Sequence, residues 1–236
     1  MKKKNKKKVL AIIPARSGSK RIKNKNIKDF FGKPFIYYAI KTAEKSGIFD
    51  DIVVSTDSKK ISKIVNKYGA ETPFLRSKSL SNDYTDTISV IKDCIIRLEQ
   101  KKREYDYVCC IYPTNPFLKK NNLQEAFKIL KSKKNVRYVL TATKFTHPIE
   151  RAFKLKQNKV KINNKKNFNK RTQDIKASFH DGAQFYFAKA KDWKKKTKIF
   201  SSYSYAIILS EINSQDIDYP VDIKIAKLKY KLTKNL

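Results

Sequence analysis

Acidic residues are scarce in this chain: 21 Asp plus Glu face 55 Lys plus Arg in 236 residues, for a formal net charge of +34. Glycine is scarce as well, at five, and cysteine numbers three. No internal repeat is present. Cys94, Cys109 and Cys110 give neither a disulfide framework nor the paired spacing of a zinc site. They suit a reducing compartment, and a cytoplasmic protein is expected. No apolar run approaches the ~20 residues of a membrane helix. The lysine-rich start, 1–8, reads as a disordered tail without the apolar stretch and cleavage site of an export signal. What the chain does have is 40% apolar and 12% aromatic residues, enough to bury a core.

The positive excess is almost all lysine, 47 against 8 arginines, and it is spread along the whole sequence. Proteins that read nucleic acid favour the planar arginine fork, and neither zinc-finger spacing nor an RNP-like aromatic motif is present. Most lysines therefore read as a solvated surface whose field steers anionic substrates inward. A specific nucleic-acid partner is not expected. A basic nucleic-acid-binding protein on an α/β scaffold is the non-enzyme alternative, and binding governed by salt alone would mark it.

Apolar runs and helical stripes alternate. Val9–Pro14 reads as a buried parallel strand. Pro34 opens a helix with Phe35, Tyr38, Ala39 and Thr42 on one face, closed by Gly47. A strand at Ile52–Ser55 precedes a helix with Ile61, Ile64, Val65 and Tyr68, ending at Gly69. A strand follows near Thr72–Leu75, then a helix marked by Ile88, Ile91, Ile95 and Leu98, and a strand at Tyr107–Ile111. Leu123, Ala126, Phe127 and Leu130 mark another helix, and Tyr138–Thr143 another strand. This alternation predicts a mainly parallel sheet with helices on both faces. After about Lys144 a β-hairpin is expected around Gln157 and Asn158, followed by a polar stretch. Strands near Gln184–Ala188 and Ala206–Leu209 and a helix from Pro220 complete the pattern.

The first strand–helix connection, Ala15 to Lys33, is far longer than the ~2–6 residues usual for such a loop. It carries Arg16, Lys20, Arg21, Lys23 and Lys25 around Gly18 and two serines, a composition that would cradle a polyphosphate. Neither the Walker A pattern nor G-x-G-x-x-G is present. Near the end of the chain, Asp216 and Asp218 sit two apart. In extended backbone both would face one site, either as ligands of a hard divalent ion or as a helix-capping pair. Cys109 and Cys110 read as small core residues, His147 as a loop residue, and Trp193 within its lysine run as solvated surface. His180 suits a structural hydrogen bond as well as a substrate contact.

Several of these stretches resemble one family. Ile12-Ile-Pro-Ala-Arg-Ser-Gly-Ser-Lys-Arg-Ile22 with Lys25-Asn-Ile27 resembles the nucleotide loop of the cytidylyltransferases that make CMP-activated sugar acids. Val54-Ser-Thr-Asp57, Phe74-Leu-Arg-Ser77 and Cys109-Cys-Ile-Tyr-Pro-Thr-Asn-Pro-Phe117 continue the resemblance. Asn169-Lys-Arg-Thr-Gln-Asp174, Phe179-His-Asp-Gly-Ala-Gln-Phe-Tyr186 and Gln215-Asp-Ile-Asp218 extend it to the end. From the tyrosine-containing stretch onward these motifs are most similar to the pseudaminic-acid branch. N-acetylneuraminate relatives usually carry Gln at the position of Tyr112 and Arg at that of His180.

The resemblance implies a three-layer α/β/α Rossmann-like nucleotidyltransferase domain over 9–236, with a mainly parallel sheet. It also implies a homodimer, with a small dimerisation arm over 145–175 swapped onto the partner. It implies CTP as co-substrate, Mg²⁺, and a nine-carbon sugar acid, pseudaminic acid first, with N-acetylneuraminate, legionaminate or Kdo as alternatives. Arg16, Ser19, Lys20 and Lys25 match positions that hold the triphosphate, with Arg16, Lys20 and Lys25 offsetting charge in the reaction. Asn26 matches a ribose contact, and Arg76 and Thr87 line the cytosine pocket. Tyr112, Thr114, Arg171, Gln173, His180 and Gln184 lie in stretches that shape the sugar-acid site, and Asp216 and Asp218 match the metal carboxylates. Two departures stand out. The branch usually reads His-Asp-Ala-Gly-Gln where this chain has His180-Asp-Gly-Ala-Gln184. It also usually has Thr where Tyr219 stands, so Asp218 is a candidate cap for the last helix.

Overall fold

The computed structural model describes residues 7–163 and 165–234. The elements run β1 (Val9–Pro14), β2 (Asp29–Phe30), β3 (Lys33–Pro34), α1 (Phe35–Ser46), β4 (Asp51–Ser55), α2 (Lys59–Asn66), α3 (Thr87–Glu99), β5 (Tyr107–Ile111) and α4 (Lys120–Ser132). They continue with β6 (Tyr138–Lys144), β7 (Phe153–Lys156), β8 (Lys159–Ile162), α5 (Lys165–Phe168), β9 (Phe179–Lys189), α6 (Ala190–Lys194), β10 (Ser204–Leu209) and α7 (Pro220–Lys234). Of the basic tail expected over 1–8, residues 1–6 lie outside the described residues. Lys7 and Lys8 are held by Asp106, which accepts from the Lys7 ammonium at 2.7 Å and the Lys8 amide at 3.0 Å.

Six strands form one sheet in the order β10-β6-β9-β5-β1-β4. All neighbours are parallel except β9, which runs antiparallel between β5 and β6. Side chains alternate across the sheet, so β1 feeds two cores. Val9, Ala11 and Ile13 pack with α1, α2 and α4, while Leu10 and Ile12 pack with α3 and α6. This is the three-layer arrangement expected. Gly47 and Gly69 adopt the left-handed conformation after α1 and α2. Ser58 and Asp86 cap α2 and α3 by accepting the amides of Ile61 and Ser89.

Two local expectations are corrected. Thr72–Leu75 does not form a strand: only isolated bridges join Val53 to Glu71 and Thr56 to Leu75. Pro73 has no N–H to donate to a ladder. Trp193 is not solvated but fully buried. Its indole donates to the Val108 carbonyl at 3.0 Å and its ring meets Tyr138 edge-on at 5.1 Å. The flanking lysines stay at the surface while the tryptophan turns inward, as the short helix α6 allows.

The departure at Gly182-Ala183 has a structural consequence. Pairing of β6 with β9 jumps from Leu140–Tyr186 to Ala142–Asp181, so the intervening residues of β9 bulge out. Within the bulge Ala183 adopts φ +49°. The preceding Gly182 is closely covered: a Cβ there would lie 2.8 Å from the Thr141 hydroxyl and 3.0 Å from the Thr141 carbonyl carbon. The left-handed conformation costs a non-glycine residue about 1–2 kcal/mol, against about 0.5–1 kcal/mol for glycine's extra chain entropy. Ala183→Gly is therefore expected to stabilise the fold by up to about 1 kcal/mol in denaturant unfolding, and Gly182→Ala to destabilise it. A less stable Ala183→Gly protein would overturn this reading.

Candidate active site

The parallel strands β1, β4 and β5 end at one edge of the sheet, and their following loops meet there. In open α/β sheets ligands bind at the carboxyl ends of the strands, where the strand order reverses. Here β4 lies on one side of β1 and β5 on the other. At that point the chain leaves a cavity of about 260 Å³.

The long loop after β1 is tied down at several points. Ala15 donates to the Ser55 carbonyl at 2.9 Å. The Ser17 amide and hydroxyl donate to Asp57 at 2.8 and 2.6 Å. Burial pushes the Asp57 carboxyl up, but the Ser17 bonds outweigh it and hold it below the ordinary range. The Asn26 amide donates to the Arg16 carbonyl at 2.9 Å. Ile22 is buried with Phe30, Phe35, Phe117 and Ile217. A tight hairpin of β2 and β3 turns through Phe31 and Gly32, both at positive φ. Because the Ser17 and Ser19 amides are already bonded within the protein, side-chain cations rather than these amides are left to meet an anion.

The cavity gathers Arg16, Ser19, Lys20, Lys25, Asn26, Arg76, Thr87, Tyr112, Thr114 and Asp218, ten of the residues singled out from sequence. Arg76 is buried. Its guanidinium donates to Ser81 at 3.1 Å, and desolvation lowers its pKa while Asp57 opposes the shift. Tyr112 and Thr87 share a hydroxyl–hydroxyl bond of 3.2 Å; burial pushes the Tyr112 phenol up to about 12. Asp218 faces the basic loop, paired with Arg21 at 2.7 Å and Lys25 at 3.5 Å. Lys25 also donates to the Ile217 carbonyl at 2.5 Å, which pins the acidic segment against the loop.

Asp218 is not the cap of α7. That role falls to Asp222, whose carboxylate accepts the amides of Asp218 and Tyr219 at 2.9 and 2.7 Å, the reach-back half of a capping box. Asp216 does not line the cavity, yet it feels Asp218. Its pKa is raised, first by desolvation and then by the Asp218 charge, with Lys25 pulling it back. Two mutually repelling carboxylates suit a hard cation. Among the described residues no group of three or more metal-ligating side chains surrounds them. One or two carboxylates are the usual protein share of a Mg²⁺ site, the remaining ligands being water and phosphate; here Asp218 is paired with Arg21 and Lys25.

Sequence reasoning missed Asp83, which also lines the cavity and bridges Arg16 at 2.6 Å and Lys20 at 2.5 Å. An acid in a polar loop carries no periodic signal, and the one local cue available is that Asn82 is a residue type that favours an Asx turn. A second chamber of about 450 Å³, broadly open to solvent, adjoins the first, sharing Thr87 and Tyr112 and lined by Ile88, Tyr186, Lys198, Ile199 and Phe200. Tyr186 donates to Asp181 across the back of this wall.

A sequence model of the family described as cytidylyltransferase matches residues 10–232. The chain belongs to that family. It is 42% identical, over 94% of its length and 96% of the relative's, to pseudaminic acid cytidylyltransferase of Campylobacter jejuni subsp. jejuni serotype O:23/36 (strain 81-176). It is 28% identical to N-acylneuraminate cytidylyltransferase of Escherichia coli O18:K1:H7 (strain RS218 / NMEC), over 93% of this chain and 51% of the relative. The structure of CMP:2-keto-3-deoxy-manno-octonic acid synthetase complexed with CTP superimposes with a TM-score of 0.69, covering 97% of this chain and all of that one at 13% identity. That likeness confirms the fold.

Four other residues singled out from sequence in this cytidylyltransferase lie outside the cavity. Gln184 is fully buried and donates to the Asn213 carbonyl at 2.8 Å; its backbone carbonyl accepts the Tyr112 amide at 2.9 Å. It supports Tyr112 from behind. His180 is exposed, with its Nδ1 2.9 Å from the Asp181 carbonyl and its ring against Phe145. Arg171 and Gln173 are exposed on the 145–175 segment, where Arg171 pairs with Asp174 at 3.0 Å. That segment includes the β7–β8 hairpin, which turns at Gln157 and Asn158 as expected and leaves Phe153, Leu155 and Val160 about half exposed or more.

Proposed function

We propose that this enzyme transfers CMP from CTP to the anomeric hydroxyl of a nine-carbon 2-keto sugar acid, with pseudaminic acid preferred over N-acetylneuraminate, legionaminate and Kdo. The observation that carries the proposal is the single cavity joining the basic loop, Arg76, Thr87 and Asp218. The near-full-length identity with a pseudaminic acid cytidylyltransferase supports the choice of acid. The sugar oxygen forms a bond to the α-phosphorus, the bond to the β-phosphate oxygen breaks, and pyrophosphate leaves while the hydroxyl loses its proton. Positioning and charge neutralisation supply most of the acceleration in such a step.

Arg16, Ser19, Lys20 and Lys25 take the triphosphate, Asn26 the ribose, and Arg76 and Thr87 the base. The second chamber takes the sugar acid, with Tyr112 at the boundary, Thr114 beside it and apolar walls for acyl substituents. Asp218, with Asp216 beside it, would hold Mg²⁺, which supplies further charge neutralisation at the phosphates. The exposed apolar hairpin supports a homodimer in which Arg171, Gln173 and His180 serve the partner's acceptor site. Among the described residues no helix is long and apolar enough to cross a membrane, and the three cysteines are free and buried. Free, buried thiols suit a reducing compartment, and we place the enzyme's action in the cytoplasm.

Pyrophosphate release from CTP and Mg²⁺ tests the substrate choice. A pocket built to hydrogen-bond one acid rejects an analogue lacking the matching groups strongly. We expect kcat/KM for pseudaminic acid to exceed that for N-acetylneuraminic acid by at least ~100-fold, about 2.7 kcal/mol of discrimination. Arg171→Ala should raise KM for the acid and leave that for CTP unchanged. Equal kcat/KM for the two acids would contradict the branch while leaving the nucleotide chemistry intact.

A further inference from the structure

Asp83 stands where the proposed function places phosphate. Its carboxylate lies 2.6 Å from Arg16 Nη2 and 2.5 Å from Lys20 Nζ, two cations of the β1 loop. Those ion pairs hold Asp83 below the usual carboxylate range, Lys20 first and Arg16 second, so it remains anionic at neutral pH. The carboxylate arrives on an ordered turn. Asn82 Oδ1 accepts the amides of Tyr84 and Thr85 at 2.8 and 2.9 Å, and the Asn82 amide donates to the Ser79 carbonyl at 2.7 Å. Next along, the Tyr84 side chain is 97% exposed, while Thr85 donates to the Ser79 carbonyl at 3.2 Å and Asp86 caps α3. Lys20 is itself 81% exposed. Arg16 and Asp83 are about a third exposed, so solvent reaches both pairs and the one with Lys20 is the weaker and more readily displaced.

The structure assigns to Asp83 the part of an internal competitor for the polyphosphate, a residue that loosens the site's hold on the triphosphate and on departing pyrophosphate. This rests on the proposed assignment of Arg16 and Lys20 to the triphosphate. A single carboxylate facing two cations is displaced by a ligand that brings several charges, and it holds its place against one that brings few. CTP therefore gains the site. CMP and the CMP-sugar product, which have only an α-phosphate, do not gain Arg16 and Lys20 from it. When pyrophosphate departs, Asp83 returns to both cations and opposes rebinding.

Asp83→Asn keeps the size and the turn but removes the charge. Calorimetric titration of the purified protein with inorganic tripolyphosphate and with CMP tests the proposal, alongside inhibition by pyrophosphate. Asp83→Asn should bind tripolyphosphate at least threefold more tightly, lower the inhibition constant of pyrophosphate by a similar factor, and change CMP binding by less than either. Unchanged or weaker binding in Asp83→Asn, with Arg16→Ala still weakening tripolyphosphate, would overturn the competitor role. If Arg16→Ala and Lys20→Ala leave tripolyphosphate binding unaltered, the phosphate assignment itself fails. Circular dichroism and melting of Asp83→Asn separate either outcome from misfolding.

Discussion

Replacing Lys25 with alanine is expected to lower kcat/KM for CTP by roughly 100-fold, and replacing Arg16 or Lys20 by more than tenfold each. The ranking follows from geometry. Lys20 is mostly exposed and shares Asp83 with Arg16, so each can partly cover for the other. Lys25 is less exposed and has two tasks: it faces Asp218 and donates to the Ile217 carbonyl. Its loss removes a cation from the site where charge develops and frees the acidic segment from the loop. A charge-assisted hydrogen bond to a partly desolvated partner contributes more than a solvated ion pair. Lys131→Ala, on the exposed side of α4, serves as the control with unchanged turnover. Steady-state kinetics at saturating acceptor measures all four. Full activity in the three loop variants would move the phosphate site elsewhere.

The second large effect concerns the acidic pair. Asp218→Asn is expected to depress Mg²⁺-dependent turnover by ~100-fold or more while the fold persists, because Asp222 rather than Asp218 holds the start of α7. Loss of folding instead of activity would return Asp218 to a structural role. Asp216→Asn separates stability from catalysis. Its folded pKa lies above the unfolded value of roughly 3.9, so the native state keeps that proton to higher pH than the unfolded chain does. Stability contributed by this group is therefore present at low pH and declines as pH rises through the folded pKa. In metal-free buffer at pH 7, Asp216→Asn should melt at or above the wild-type temperature, and near pH 3 the difference should vanish. Its activity should nonetheless fall. A variant that melts lower at pH 7 would show that Asp216 stabilises the chain without metal.

Much of the fold was legible because burial leaves a period behind. Val9–Pro14 is apolar on both faces since both faces are covered, and the stripes on α1, α3 and α4 mark the sides that meet the sheet. Trp193 was not legible, because the lysines around it belong to surface positions of a short helix and conceal one inward residue. Thr72–Leu75 has strand-like composition, but Pro73 cannot donate to a ladder. The cavity's residues were found through their placement at strand ends together with the family resemblance. Asp83 joins the site through ion pairs between distant segments, which no local pattern records. Gln184 was placed at the acceptor site by its motif; its buried side chain donates to the Asn213 carbonyl and its own carbonyl accepts the Tyr112 amide, contacts that no local pattern records.

A crystal structure with CTP and Mg²⁺ is the most direct measurement. The triphosphate should lie against Arg16, Lys20 and Lys25, with the base beside Arg76 and Thr87, the metal at Asp218, and Asp83 no longer bound to either loop cation. CTP seated in the other basic, aromatic groove, between Tyr37, Lys41, Lys45 and Lys119, with the β1 loop unchanged, would contradict the assignment.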